Sequence, residues 1–226
     1  MRRFYKAAAV GEGNAILLDG RPVRTPGRAP LALPNPSLAE AIADEWNEQA
    51  EKIDPRSMPL TGLANAAIDR IAPARDAFAH GLALYGESDL LCYRAAGPAP
   101  LDAREAEHWD PLLAWAEARY DIAFVVTSGI VHRPQPPETV ARLAAAVATR
   151  DAFELAGLSP LVTVSGSLVI ALALAEGAVG LDAAWAAASL DEQWQLDQWG
   201  EDAEAVKALA GRRADFAAAA RFLSLL

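Results

Sequence analysis

Hydrophobic positions follow two different patterns along the chain. In the first 35 residues they form short runs between turn-forming residues, as strands do, and from residue 36 they recur at the spacing of amphipathic helices. Asp19 and Gly20 suit the tight turn of a β-hairpin, and Pro22, which has no amide donor, belongs in an edge strand. We predict short strands at 4–10, 15–19, 21–25 and 31–33.

The remainder of the chain is predicted to be mainly helical, in keeping with its abundance of alanine. Asn35 is a suitable N-cap for a helix whose first residue is Pro36. A proline-rich stretch at 97–100 is the clearest boundary between two folded parts. Further helices are predicted at 59–72, 73–86, 101–120, 137–149, 151–157, 159–178, 181–199 and 202–224, with one short strand around 124–127.

These elements define an α+β fold. We predict a small β-containing amino-terminal domain over 1–97, which also holds helices, and a larger, mainly α-helical carboxy-terminal domain over 98–226. The hydrophobic fraction of 53% is ample for a buried core, so the chain is not expected to be intrinsically disordered.

The charge of the chain is distributed unevenly. The net charge is −10, but residues 1–35 contain six basic and two acidic residues, a balance of +4, which leaves −14 for the rest. So acidic a body is a poor match for nucleic acid, and no nucleic-acid partner is expected. The longest apolar run, 161–175, is shorter than the ~20 residues that cross a bilayer, so no membrane insertion is expected.

The amino terminus and the cysteine content indicate a cytoplasmic protein. Arg2 and Arg3 are followed by no apolar segment, so no signal peptide is expected. The single cysteine, Cys92, cannot form an intramolecular disulfide, which fits a reducing compartment. Within its apolar run Cys92 is predicted to be a buried small hydrophobic residue rather than a nucleophile.

No set of residues for catalysis or cofactor binding can be assembled from the sequence. The three histidines and the single cysteine have no zinc-binding spacing, and no metal is expected. Gly11 and Gly13 begin a dinucleotide fingerprint that Ile16 fails to complete. Adjacent carboxylates such as Asp44 and Glu45 are expected on solvated helix faces. We therefore predict no cofactor and no enzymatic activity.

The most informative stretch is 191–202, which contains two tryptophans and five carboxylates but no basic residue. The wider window 182–204 holds seven acidic residues and again no basic one. The separation of Trp194 from Trp199 directs their rings to different sides of a helix, so one can be buried while the other is exposed. Helical spacing places the following residues on one side: Trp185, Glu192, Leu196 and Trp199. A surface of aromatic and acidic groups is suited to holding another protein.

Short motifs spread over nearly the whole chain carry a family resemblance. They are 3–6, 18–26, 43–46 with Gln49, 58–61, 67–69, 88–94, 109–113 and 167–173, and lastly Glu192, Gln195, Trp199 and Gly200. In this order they resemble the assembly-chaperone family of F-type ATP synthase, the ATP-twelve family. No single motif is diagnostic, and the signal lies in their collinear order.

The resemblance implies a protein that binds the free alpha subunit of the catalytic head of ATP synthase. Such a protein shields the subunit interface of the alpha subunit until a beta subunit takes that place. It is not an enzyme, and its fold is a smaller β-containing domain joined to a larger helical one. We expect a bacterial, cytoplasmic version without a transit segment, acting as a monomer.

The same resemblance indicates which residues bind the partner. Asp191 and Glu192 match the acidic stretch that is important for function in the family, and Glu192 is expected to contribute most. The expected partner-binding residues are Glu192, Asp191, Asp197, Trp199, Glu201 and Trp194. The chain departs from the family pattern at Glu105, where relatives often have glutamine.

Two other hypotheses remain open from the sequence. The first is a carboxylate-based hydrolase with its site in a cleft between the two domains. A buried Glu192 among converging polar groups would favour that hypothesis, and an exposed Glu192 on a convex helix would argue against it. The second is a scaffold whose acidic region serves only solubility.

Overall fold

The chain forms two compact units in the computed structural model, which describes every residue except Ile130 and Glu201. The first unit comprises 1–75, 151–157 and 221–226, and the second comprises 76–150 and 158–220. The predicted α+β class is confirmed, with a small strand sheet near the amino terminus and a larger helical part. The boundary at residue 97 stays a prediction about domains, because compactness alone does not show which segments fold independently.

The sheet of the first unit has three antiparallel strands in the order β1 (Ala8–Val10), β2 (Ile16–Leu18) and β3 (Arg21–Pro22). Asp19 and Gly20 both have positive φ, 49° and 80°, as the predicted hairpin turn requires. Pro22 lies in the edge strand β3, also as predicted. The strands are shorter than predicted. The segment 31–33 forms no strand and contributes only the isolated bridge between Ala15 and Ala32.

Helix α1 (Pro36–Asn47) begins as the sequence predicts, since the Asn35 side chain accepts a hydrogen bond from the Leu38 amide. The expectation that Glu45 lies on a solvated helix face is wrong. Its carboxylate is buried and accepts hydrogen bonds from the amides of Leu60 and Thr61 in the first turn of α2 (Pro59–Ala66). A carboxylate from one helix thus caps the next one, and burial raises its pKa.

The remaining elements are mostly helices. They are α3 (Arg75–Ala83), β4 (Tyr93–Arg94), α4 (Ala99–Tyr120), β5 (Thr127–Ser128), α5 (Pro137–Ala148), α6 (Ala152–Ser165), α7 (Leu168–Ala175), α8 (Leu181–Ala188), α9 (Leu190–Trp199) and α10 (Ala203–Ser224). Strands β4 and β5 pair in parallel. The strand predicted around 124–127 is therefore present, but it lies at Thr127–Ser128. Helices α6 and α10 contribute residues to both units.

Two predicted helices are each divided in two. The helix predicted over 159–178 ends at Ser165, because Gly166 adopts a left-handed φ of 70° and the Ser167 side chain caps the start of α7. The helix predicted over 181–199 is interrupted at Ser189, whose hydroxyl donates to the Trp185 carbonyl at 2.8 Å. Hydroxyl side chains that bond nearby backbone groups compete with helix continuation at both places.

The core of the second unit surrounds α7, in which every residue from Leu168 to Ala173 is buried. Asp89 is fully buried at the start of this helix, where its two carboxylate oxygens accept from the amides of Leu91 and Val169 at 3.1 and 3.0 Å. Burial raises the pKa of Asp89 to about 6, against the lowering effect of these hydrogen bonds. No local sequence signal indicates that this carboxyl group is internal.

Cys92 lies in the same core and is completely buried, as predicted. Burial raises the pKa of its thiol to about 12, so the thiol stays protonated and is a poor nucleophile. None of the helices in the described part of the chain combines the length and apolar character needed to span a membrane.

We predict that Asp89→Ala lowers the free energy of unfolding by about 3 kcal/mol, because it leaves two buried amides without an acceptor. Asp89→Asn retains one acceptor oxygen and should cost about half as much. Urea denaturation of both variants tests this. Equal stability of wild type and Asp89→Ala would contradict the capping role.

Candidate partner-binding surface

Five of the six predicted binding residues lie on α9. Helix α9 starts after the break at Ser189 and ends at Gly200, whose φ of 87° is unfavourable for other residues and whose amide donates to the Leu196 carbonyl. Helix α10 then begins with Asp202 accepting from the Glu204 amide. Glu201, one of the predicted residues, lies outside the described part of the chain.

Trp199 is the most exposed large aromatic side chain of the described residues, at 80%. Trp194 is only partly accessible, so the two rings differ in exposure as the spacing predicts. The predicted common side with Trp185 is wrong. Trp185 is buried against Phe216, with 5.6 Å between ring centroids, because the break at Ser189 places it on a separate helix.

Three carboxylates of the acidic region form ion pairs with arginines that are distant in sequence. Asp182 pairs with Arg213 at 2.9 Å, Glu192 with Arg212 at 2.7 Å, and Asp197 with Arg104 at 3.1 Å. The stretch that has no basic residue in sequence is therefore bordered by positive charge in the fold. This surface carries alternating charges rather than a single acidic field.

The pair between Glu192 and Arg212 is half exposed, since each side chain retains 41% accessibility. Glu192 is therefore neither enclosed in the interior nor free in solvent. Ion pairs in such positions contribute roughly 0–1 kcal/mol, because water and salt screen them. Both groups can exchange their intramolecular partner for a group of opposite charge on another protein at little cost.

Asp191 lies beside Glu105 of α4, a pairing that sequence spacing could not reveal. Glu105 is 1% exposed and accepts from the Ala95 amide at 2.9 Å, while Asp191 Oδ1 is buried without a hydrogen-bond partner. Burial, together with a neighbouring negative charge, raises the pKa of both carboxyl groups. The protonation of each carboxyl group therefore influences that of the other.

A cavity of about 400 Å³ opens beside the start of α9 in the helical unit. Asp191, Glu192 and Gln195 line one wall, and 163–166 line another. Asp197 and Trp199 do not border it. Of the proposed residues that the structure describes, only Asp191 and Glu192 therefore share a concave site. In the described part of the chain, no cluster of three or more metal-ligating side chains is present.

Comparison with known proteins identifies a class and then a family. The family described as ATP12 chaperone protein matches residues 2–117. Atp12 from Paracoccus denitrificans is 44% identical, with a TM-score of 0.94 over 99% of this chain and 97% of that one. The Atu1473 protein of Agrobacterium tumefaciens is 42% identical, with a TM-score of 0.93 over 99% and 85%.

A more distant relative is the mitochondrial protein atp12 of Schizosaccharomyces pombe, 25% identical over 222 residues, which cover 91% of this chain and 76% of that protein. The chain is thus a protein of the assembly-chaperone class. It belongs to the ATP12 chaperone family.

We predict that Glu105→Gln removes part of the pH dependence of stability. Raised carboxyl pKa values mean that the folded chain binds protons more tightly than the unfolded chain. The stability of the wild type relative to the variant should therefore fall as the pH rises above the ordinary values of 4.5 and 3.8.

Chemical denaturation at several pH values measures this difference. The matched control is Glu107→Gln, an exposed glutamate on the same helix, which should follow the wild type. Parallel pH profiles for wild type and Glu105→Gln would show that the two buried carboxyl groups are not coupled.

Proposed function

We propose that this protein binds the free alpha subunit of F-type ATP synthase and shields its subunit interface until a beta subunit replaces the chaperone. Membership of the ATP12 family supports a role in assembly. The observation that carries the finer proposal is Trp199, an aromatic side chain 80% exposed at the end of a helix that is edged by ion pairs.

The chemistry of this surface suits temporary binding. An unassembled subunit exposes an apolar patch that its neighbour normally covers, and such a patch favours aggregation. Trp199 offers the large, rigid apolar contact that dominates interface energetics. The half-exposed pairs at Glu192 and Asp197 offer charges that set orientation and re-form within the chaperone on release. Return of these internal pairs lowers the free energy of the released chaperone.

We infer a non-enzymatic role. The hydrolase hypothesis is supported only by the cavity beside Asp191 and Glu192. In that cavity the Glu192 carboxylate is held by Arg212, and the Asp191 carboxyl shares its buried position with Glu105. The ion pair and the contact with Glu105 account for the two carboxyl groups without a catalytic role. The solubility hypothesis does not account for an exposed tryptophan, which lowers solubility.

The remaining parts of the proposal concern state and location. We propose that the chaperone acts as a monomer in the bacterial cytoplasm, where alpha subunits are made. The bacterial source of two similar solved structures supports this location. Sedimentation of the purified protein alone and with the alpha subunit would detect any other stoichiometry.

We predict that Trp199→Ala weakens binding of the purified alpha subunit by about 10- to 100-fold, the loss typical of an aromatic anchor. Because Trp199 contacts solvent in the free protein, thermal unfolding should stay unchanged. Gln198→Ala, at an exposed neighbouring position, is the matched control. Equal affinity of the wild type and both variants would show that Trp199 does not contribute to binding of the alpha subunit.

Charge reversal separates a direct role of Glu192 from an internal one. Glu192→Lys should reduce the soluble yield of the co-expressed alpha subunit, since it places two positive charges together. Adding Arg212→Glu restores an internal pair of reversed polarity. If Glu192 contacts the partner, the double variant stays impaired. Full recovery would mean that Glu192 only positions α9.

A further inference from the structure

A second candidate binding site lies in the first unit, apart from the residues considered so far. It is a groove of about 730 Å³ bordered by the amino-terminal segment, the β2–β3 hairpin and α1. Phe4, Tyr5 and Trp46 form an aromatic wall, and Val23 continues the apolar surface. Arg21 and Arg24 stand at the side of the hairpin. The size suits a few side chains of a ligand rather than a folded domain.

The aromatic wall is fixed before any ligand binds. Tyr5 donates from its hydroxyl to the Trp46 carbonyl at 2.6 Å, and the two rings meet edge to face at 5.7 Å. Arg3 anchors the segment by donating from its side chain to the carbonyls of Asn47 and Lys6 at 3.2 and 2.8 Å. Phe4 is nevertheless 65% exposed. An exposed phenylalanine on an anchored segment is typical of a surface that binds another molecule.

The charge of the groove is positive. Arg21 and Arg24 are exposed and form no ion pair with any described residue. The one carboxylate at the groove, Asp19, accepts from the amides of Lys6 and Ala7, which lower its pKa. The Asp19 carboxylate is therefore already hydrogen-bonded to backbone amides. Arg24 donates from Nη1 to the Arg28 carbonyl at 2.8 Å, and its other donors, together with the Arg21 guanidinium, remain available to an anionic ligand.

One donor in the wall lacks an acceptor. The indole N–H of Trp46 is shielded from solvent and has no hydrogen-bond partner among the described residues. An unsatisfied buried donor costs about 1–3 kcal/mol.

We propose that this groove binds an extended segment of a partner protein in which a large apolar side chain is flanked by carboxylates. The apolar residue would pack on Phe4 and Trp46, and the carboxylates would pair with Arg21 and Arg24. Membrane recognition usually needs a cluster of about four to eight basic residues, more than this groove presents. The chain would then hold partners through two surfaces of different chemistry, one basic and aromatic and one around Trp199.

The test is fluorescence anisotropy with a labelled synthetic peptide of sequence Gly-Asp-Phe-Asp-Leu-Asp-Gly. A peptide with lysine in place of each aspartate serves as the counter-probe, and vesicles containing phosphatidylserine serve as a third. We expect the acidic peptide to bind at least ~10-fold more tightly than the lysine peptide, and to lose affinity as salt is added.

The variants assign the binding to the groove. The double change Arg21→Glu with Arg24→Glu should reduce peptide affinity by about 10-fold or more, and so should Phe4→Ser, with unfolding curves like that of the wild type. The control for net charge is the double change Arg56→Glu with Arg70→Glu, at two exposed arginines outside the groove.

Trp199→Ala should leave peptide binding unchanged, so the outcome is independent of the proposed alpha-subunit surface. Equal binding of both peptides, binding unaffected by the groove variants, or binding of the vesicles without the peptide would each overturn the proposal.

Discussion

The ion pairs of α9 with arginines from distant parts of the helical unit, together with the buried Leu190, set the position of the proposed surface. Arg104 on α4 and Arg212 on α10 hold Asp197 and Glu192, which lie about 1.4 turns apart on the same short helix. Each pair is weak, so the position of α9 depends on these contacts jointly rather than on either pair alone. The position of Trp199 follows from this attachment and from the turn at Gly200.

Because of these ion pairs, the acidic sequence does not form a single negative patch in the fold. The carboxylates of 182–204, a window without a basic residue, suggest a negative patch, but three of them pair with arginines in the fold. A negative patch would attract a basic partner from a distance. A set of half-exposed pairs instead exchanges partners locally, at a small cost for each pair. That property fits the proposed temporary binding of the alpha subunit.

Local signals were sufficient for some features and insufficient for others. The Asp19–Gly20 turn, the Asn35 cap and the burial of Cys92 depend on a few adjacent residues, and each was predictable. Glu45 and Asp89 were not, because each carboxylate is buried by the helix start that it caps. The break at Ser189 was missed for a related reason. Serine is tolerated inside helices, and the interruption shows only in the backbone of Ser189, with φ −112° and ψ 15°.

Glu105 shows how a single position can couple the fold to pH. A glutamine amide at this position could donate to the neighbouring carboxylate without titrating. The raised pKa values of Glu105 and Asp191 instead predict a pair that is sensitive to pH. The start of α9, and with it the proposed partner-binding surface, lies beside this pair.

Hydrogen exchange of the backbone amides over 190–206, measured with and without the alpha subunit, tests whether α9 forms the surface that binds this partner. We expect slower exchange throughout α9 and the first turn of α10 when the alpha subunit is present. Unchanged exchange over these residues, with protection confined to other parts of the chain, would contradict it.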